Sequence, residues 1–178
     1  YSTQKSTLEK TIYWTDKDHY DIEWYSKNKD SDSFEINTAS ELAGLAFLNN
    51  NNICDFKNKT IKLQSDIDLK EYSWEPIGSY GDPFAGQFDG NNKKIINLHI
   101  NEEEKDFQGL FGCTYNENAL IKNIQLSDSY IIGQNHIGGI VGNNQANITG
   151  DTHNSIIVNN STIIGNEQVG GIIGSNNN

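Results

Sequence analysis

The chain has 178 residues, a length that suits one domain of ordinary size, and carries a formal net charge of -11 at pH 7. All 13 basic residues are Lys, while Asn occurs 25 times and Ile 23 times. Phosphate tracking needs a basic stripe and favours Arg, so composition excludes nucleic acid and anionic membrane surfaces as partners, and no apolar run approaches the ~18 residues of a spanning helix.

Residues 1–33 are polar, with Tyr13, Trp14, Tyr20, Trp24 and Tyr25 scattered among charges and no sustained period. They read as an irregular lead-in whose aromatics either staple it to the body or stack on a sugar ring or a protein partner. Phe34 and Ile36 alternate as a short strand, and Thr38-Ala39-Ser40-Glu41 is a capping box. An amphipathic helix follows, with Ala39, Leu42, Ala43, Ala46 and Phe47 on one stripe and the Asn49 to Asn52 run as its stop. Ile61, Leu63, Ile67 and Leu69 then sit at alternate positions, which predicts one half-buried strand with Asp66 and Asp68 on its outer face. Between Trp74 and Asn92 the turn residues cluster, and tight corners should separate short strands there.

The C-terminal half repeats. Tyr130-Ile131-Ile132-Gly133 recurs as Thr162-Ile163-Ile164-Gly165, and Ile137-Gly138-Gly139-Ile140-Val141-Gly142 recurs as Val169-Gly170-Gly171-Ile172-Ile173-Gly174. Gly109-Leu110-Phe111-Gly112 is a degenerate earlier copy, and the segments 95–100 and 121–126 share the pattern I-x-N-apolar-x-apolar. Units this short cannot bury an apolar face alone, so they must stack, and their Ile, Val and Gly content disfavours helical repeats. The expected fold is all-β: a right-handed parallel β-helix, or β-solenoid, over residues 34–178, closed at its N-terminal end by the amphipathic helix. Asn at equivalent corners should form hydrogen-bonded ladders. Gly109, Gly112, Gly139, Gly142, Gly171 and Gly174 are expected at corners that admit only Gly, with a positive φ at Gly139.

In order from about residue 34 to 174, several stretches resemble the GLUG-repeat proteins of bacterial surfaces. These are Phe34 to Ala46, Ile67-Asp68-Leu69, Trp74-Glu75-Pro76-Ile77-Gly78, Phe84 to Asn91, and the Gly109-Leu110-Phe111-Gly112 and Gly139-Ile140-Val141-Gly142 corners. The resemblance implies an extracellular, wall-attached or secreted adhesin-like protein. Similar repeats lie upstream of the zinc-dependent domain of immunoglobulin A proteases, but the H-E-x-x-H of that domain is missing here. The expected role is a non-catalytic surface module that meets a host protein or glycan and is continuous with further domains of a parent chain. The absence of Met and of a leader segment, and an ending without a distinct terminal repeat, read as a piece cut from a longer array.

The alternative is a β-helix that binds or cleaves polysaccharide. A groove holding three or more acids with a Lys would favour it. No catalytic residue is assigned, and no cofactor is expected, although Asp82 and Asp89 lie in a loop whose oxygens suit calcium. His19, His99, His136 and His153 lack metal spacing and read as surface residues, and the repeat region offers Asp128, Asp151 and Glu167 as its acids. Cys54 and Cys113 read as small buried apolar residues rather than a disulfide. The N-x-S/T triplets at Asn58, Asn147, Asn159 and Asn160 are the number chance gives in so Asn-rich a chain.

Overall fold

A computed structural model describes residues 10–149 and 155–177. Asp151 and His153 lie outside the described residues. In chain order the elements are α1 (Glu23–Ser26), β1 (Ser33–Ile36), α2 (Ala39–Asn50), β2 (Thr60–Leu63), β3 (Ile67–Asp68), β4 (Gln87–Asp89), β5 (Lys94–Ile96) and β6 (His99–Asn101). They continue with β7 (Phe111–Lys122), β8 (Gln125–Ser127), β9 (Tyr130–Ile132), β10 (Asn135–Gly138), β11 (Val141–Thr149), β12 (Ile157–Asn159), β13 (Thr162–Ile164), β14 (Glu167–Gly170) and β15 (Ile173–Asn176).

Every strand pairing is parallel, and the strands stack into a β-solenoid. One long sheet runs β1-β2-β4-β7-β11-β15, a second β3-β5-β8-β12, a third β6-β9-β13, and β10 pairs with β14. The 32-residue offset read from the sequence is the stacking register: Tyr130 pairs with Thr162, Asn135 with Glu167, and Val141 with Ile173. The core follows as columns of like residues. Phe34, Ile61, Phe88, Ile121 and Ile148 lie one above another, as do Ile67, Ile95, Leu126 and Val158, and Ile100, Ile131 and Ile163. Each fully buried member contributes about 1.5–3 kcal/mol by leaving water, and the pairing extends the column turn by turn.

Four details differ from expectation. The strand foreseen over 61–69 is two strands, β2 and β3, with a corner between them where Asp66 Oδ1 accepts the Lys94 N–H at 2.8 Å. Alternation survives the corner because Ile61, Leu63, Ile67 and Leu69 all remain buried, so periodicity alone does not reveal the break. The second difference is α2. Its capping box forms, with Thr38 accepting from the Glu41 N–H, but no residue of the helix is exposed, so it is not amphipathic. The lead-in covers the side that would otherwise face water: the Asp21 carbonyl lies against Gly44, the Asp21 N–H donates to Ser40 O at 2.8 Å, and Tyr20 stacks on Phe47.

The similar segments 95–100 and 121–126 are not in register with each other; Ile95 pairs with Leu126, and Ile121 with Phe88. What they share is a corner, in which Asn97 (φ 59°) and Asn123 (φ 57°) take the left-handed conformation. The glycines are the fourth difference. None of the six corner glycines has a positive φ; among the described glycines only Gly78 does, at 81°. Asn instead supplies the left-handed positions, at Asn91, Asn97, Asn123 and Asn160 among others. The glycines are required for close approach: a Cβ at Gly112 would lie 2.3 Å from Gly78 O, at Gly139 2.5 Å from Gly171 O, and at Gly142 2.6 Å from His136 O. Gly109 and Gly174 are similarly crowded, whereas Gly171 has nothing within 4 Å, since among the described residues no strand lies beyond β15.

The Asn ladders form, and Asp shares in them. Asn97 donates to Asp68, Asn123 to Asp89, Asn135 to Asp106 and Asn160 to Asp128, each bridging one turn to the next. The Asn97 amide, with the Lys70 N–H, holds the Asp68 carboxyl below its ordinary range. Both cysteines are free; Cys113 is buried, which pushes its thiol up to about 12, and Cys54 is half-buried.

Candidate functional site: an acidic cleft beside an aromatic column

The lead-in is tied to the solenoid by a backbone bridge between Tyr13 and Ser73. It places the five aromatics singled out in the sequence in different settings. Trp14 is 6% exposed and donates its indole N–H to Leu69 O at 3.1 Å. Tyr20 covers Phe47 of α2. Trp24 and Tyr25, half-buried, join Phe34 and Phe56 in an aromatic cluster. These four staple to the body a lead-in whose one regular element among the described residues is the short α1. Tyr13 has a second role: its hydroxyl donates to Glu102, 89 residues away, and its ring lines a cleft of about 350 Å3.

Three segments that no local pattern relates meet around this cleft. Glu75 and Tyr80 come from the loop after Trp74, and Glu102, Lys105, Asp106, Phe107 and Gln108 from the stretch after β6. Trp74, fully buried, is fixed by its own N–H to Leu110 O at 3.0 Å. The loop is anchored from α2, where Asn50 donates to Pro76 O and accepts from the Gly78 N–H. Tyr80 is 73% exposed and stacks on Phe107 with centroids 5.6 Å apart, and Phe107 stacks on His136 at 4.8 Å. Phe107, His136 and Gln168 occupy one corner of successive turns, with φ of 60°, 59° and 54°, so the fold itself sets the aromatic column beside the cleft.

The electrostatics are one-sided. Three acids, Glu75, Glu102 and Asp106, line the cleft with a single Lys, Lys105, which pairs with Glu102 at 3.0 Å and lies 5.9 Å from the Tyr13 ring centre. Burial, the hydrogen bond to Glu102 and the charges of Glu102, Glu75 and Asp16 push the Tyr13 phenol up to about 12. Each carboxylate already holds an internal donor: Thr15 on Glu75, Tyr13 and Lys105 on Glu102, and the backbone and side chain of Asn135 on Asp106. Gln108, 5% exposed, donates to Asp106 O at 2.7 Å, and its Oε1 has no hydrogen-bond partner. Such a site can accept hydrogen bonds, attract positive charge and offer a flat aromatic face.

The remaining sequence candidates lie elsewhere. Asp89 is occupied by Lys122 at 3.5 Å, Asn123 at 3.0 Å and the Asn91 N–H at 2.8 Å, and the Asp82 backbone carbonyl receives the Asn49 amide. Among the described residues no three His, Cys, Asp or Glu side chains gather as a metal site, so Asp82 and Asp89 are not joined by other acids. Asp66 does not share one strand with Asp68, and both stabilise corners. His99 is exposed, as expected, whereas His19 is half-buried on Tyr72 and His136 is half-buried in the column with its Nδ1 unpartnered. The cleft itself was invisible in the sequence. Glu102-Glu103-Glu104-Lys105-Asp106 reads as a solvated charge run, and only the 89-residue contact from Tyr13 turns it into a wall.

A protein named as a Gly-rich membrane protein, from Evansella cellulosilytica, is 36% identical over 92 residues, 47% of this chain and 10% of that protein. Halomucin of Haloquadratum walsbyi is 28% identical over 139 residues, 71% of this chain and 2% of halomucin. The chain thus spans a tenth or less of the length of these curated relatives. No family model and no solved structure matches it. Among the described residues no helix is long and apolar enough to cross a membrane.

Proposed function

We propose that the chain is a non-catalytic, extracellular surface module of the GLUG-repeat type, and that it holds a saccharide against Tyr80 at the mouth of the acidic cleft. The observation that carries this reading is the Tyr80 ring, 73% exposed and braced from behind by Phe107, beside a cleft of about 350 Å3 rich in acceptors. Sugars present an apolar face to such rings and hydroxyl donors to the acceptors around them, and a pocket of this size suits one or two rings. Relatives named for a membrane and for a mucin support placement at a cell surface.

Three acids and a Lys in one groove also favour a second reading, cleavage of a polysaccharide. Against it, a general acid needs a carboxyl kept neutral by burial, while Glu75 is exposed and Glu102 is paired with Lys105. The experiment is a panel of immobilised oligosaccharides and matrix proteins probed with the full chain and with Tyr80→Ala. Binding that falls about tenfold or more in the variant supports the proposal. New reducing or unsaturated ends in a bound glycan would replace it with the enzyme reading, and binding of no saccharide would overturn it.

A further inference from the structure

Two bulges interrupt the pairing along β7, and a tyrosine stands at each. Ile77 bridges Phe111 and Phe84 bridges Thr114, so residues 78–83 bulge out over two residues of β7, and that bulge carries Tyr80. Farther along, Tyr115 pairs with Gln145 but Leu120 pairs with Asn147, so residues 116–119 of β7 oppose one residue of β11. Tyr115, at the base of this second bulge, is 59% exposed, and its N–H is held by Phe84 O at 2.9 Å. Stacking of turns requires neither bulge; bulges re-aim side chains.

The two tyrosines divide one continuous groove. The cleft of about 350 Å3 ends at Tyr80, which also lines a second cavity of about 240 Å3. That cavity runs beside Pro83, Thr114 and Asn143 to Tyr115 and Gln145, and these last two also line a third, of about 490 Å3. The middle cavity is lined by no charged side chain, since the Cys113 thiol, raised to about 12, is neutral. Flat rings at successive positions with amides between them match the apolar faces and hydroxyls that recur along a sugar polymer. A polyanion would enter against the net charge of -11.

Resting on the saccharide reading above, we propose that the groove takes an extended stretch of a neutral polysaccharide, with one sugar ring on Tyr80 and a later ring of the same strand on Tyr115. A short oligosaccharide engages one tyrosine. A longer one, once seated on the first, meets the second as an intramolecular contact, so its affinity rises with length.

The test uses the full chain, titrated with cello-oligosaccharides and N-acetylglucosamine oligomers, each as dimer and hexamer, and with the galacturonate hexamer. A neutral hexamer binding at least about tenfold tighter than its dimer supports the inference, provided that Tyr115→Ala removes the gain and leaves the dimer unchanged. Tyr80→Ala should weaken dimer and hexamer alike. Tyr115→Leu fills the position without a flat ring and should repeat the loss seen in Tyr115→Ala, with circular dichroism showing the variants folded. Tyr130→Ala, which removes an exposed tyrosine from the third sheet, should change nothing; a comparable loss there would mean unspecific stacking and would overturn the inference. Dimer and hexamer of equal affinity, or a Tyr115→Ala that leaves the hexamer's gain intact, would overturn the extended groove while saccharide binding at Tyr80 stands. A galacturonate hexamer as tight as the neutral ones would overturn the neutral class. Binding of none of these sugars overturns this inference, and the saccharide reading falls with it only if the wider panel above is silent too.

Discussion

The two Gly-Gly pairs, Gly138-Gly139 and Gly170-Gly171, stand in matching sequence 32 residues apart, and the structure assigns their members different duties. A Cβ on Gly138 would meet Val141 O at 2.2 Å in its own turn and Gly174 N and Ile172 O at 2.8 Å in the following one, whereas one on Gly170 would meet Ile173 O at 2.0 Å within its own turn. A Cβ on Gly139 would meet Gly171 O at 2.5 Å, in the following turn, and Gly171 itself meets nothing. Gly139→Ala must therefore push apart two turns joined at this point by the Gly139 N–H to Gly171 O bond of 3.3 Å. Losing that bond costs about 1 kcal/mol and overpacking adds about 1–2 kcal/mol, so the expected destabilisation is about 2–3 kcal/mol. For a chain of this size that is about 4–12 °C in Tm. Gly171→Ala should be neutral or gain about 0.4–1 kcal/mol through the unfolded chain, and Gly170→Ala should cost about as much as Gly139→Ala. Thermal unfolding followed by circular dichroism gives the ranking, and hydrogen exchange should show faster exchange over residues 155–177 in Gly139→Ala, where the turns part. Equal losses at Gly139 and Gly171 would refute the reasoning, because a local backbone requirement acts alike on matching sequence while an inter-turn approach does not.

Asn123 combines a left-handed φ of 57° with a bond to Asp89, so Asn123→Ala should cost about 1–2.5 kcal/mol and Asn123→Gly about 1 kcal/mol, read as urea midpoints. Trp14→Ala removes a buried ring and the donor to Leu69 O; a loss of about 3–5 kcal/mol and early proteolytic cleavage in residues 10–32 are expected, whereas an unchanged cleavage pattern would remove Trp14 as the staple. Cys113 should react with a thiol reagent only on unfolding, while half-buried Cys54 reacts in the native state. The Cys113 thiol and the Tyr13 phenol are both raised on folding, to about 12, so the native state holds protons that the unfolded chain releases. Their stabilisation is complete below about pH 9 and is lost as pH rises through 12; Tyr13→Phe should flatten the phenol's share of that alkaline slope, measured as denaturation midpoint against pH.

The fold was legible because a stack uses the same residues in every turn. Ile above Ile, an offset of 32 and recurrent Asn are local facts of the sequence, and parallel stacking is the arrangement that buries such short units together. The capping box at Thr38 and Glu41 was equally readable, being complete within four residues. Other features needed the third dimension. Whether α2 shows one face or none to water depends on where the lead-in comes to rest, and the sequence of α2 says nothing about the Asp21 carbonyl that covers it. A glycine's φ and a glycine's clearance leave the same letter, and only the neighbouring turn distinguishes Gly139 from Gly171. The cleft belongs to this second group, since Tyr13, Glu75 and Glu102 are separated by tens of residues and become one wall through contacts between turns and the lead-in. Periodic residues determine how the chain stacks; the aperiodic ones acquire their neighbours, and with them their charge environment, only when the stack has formed.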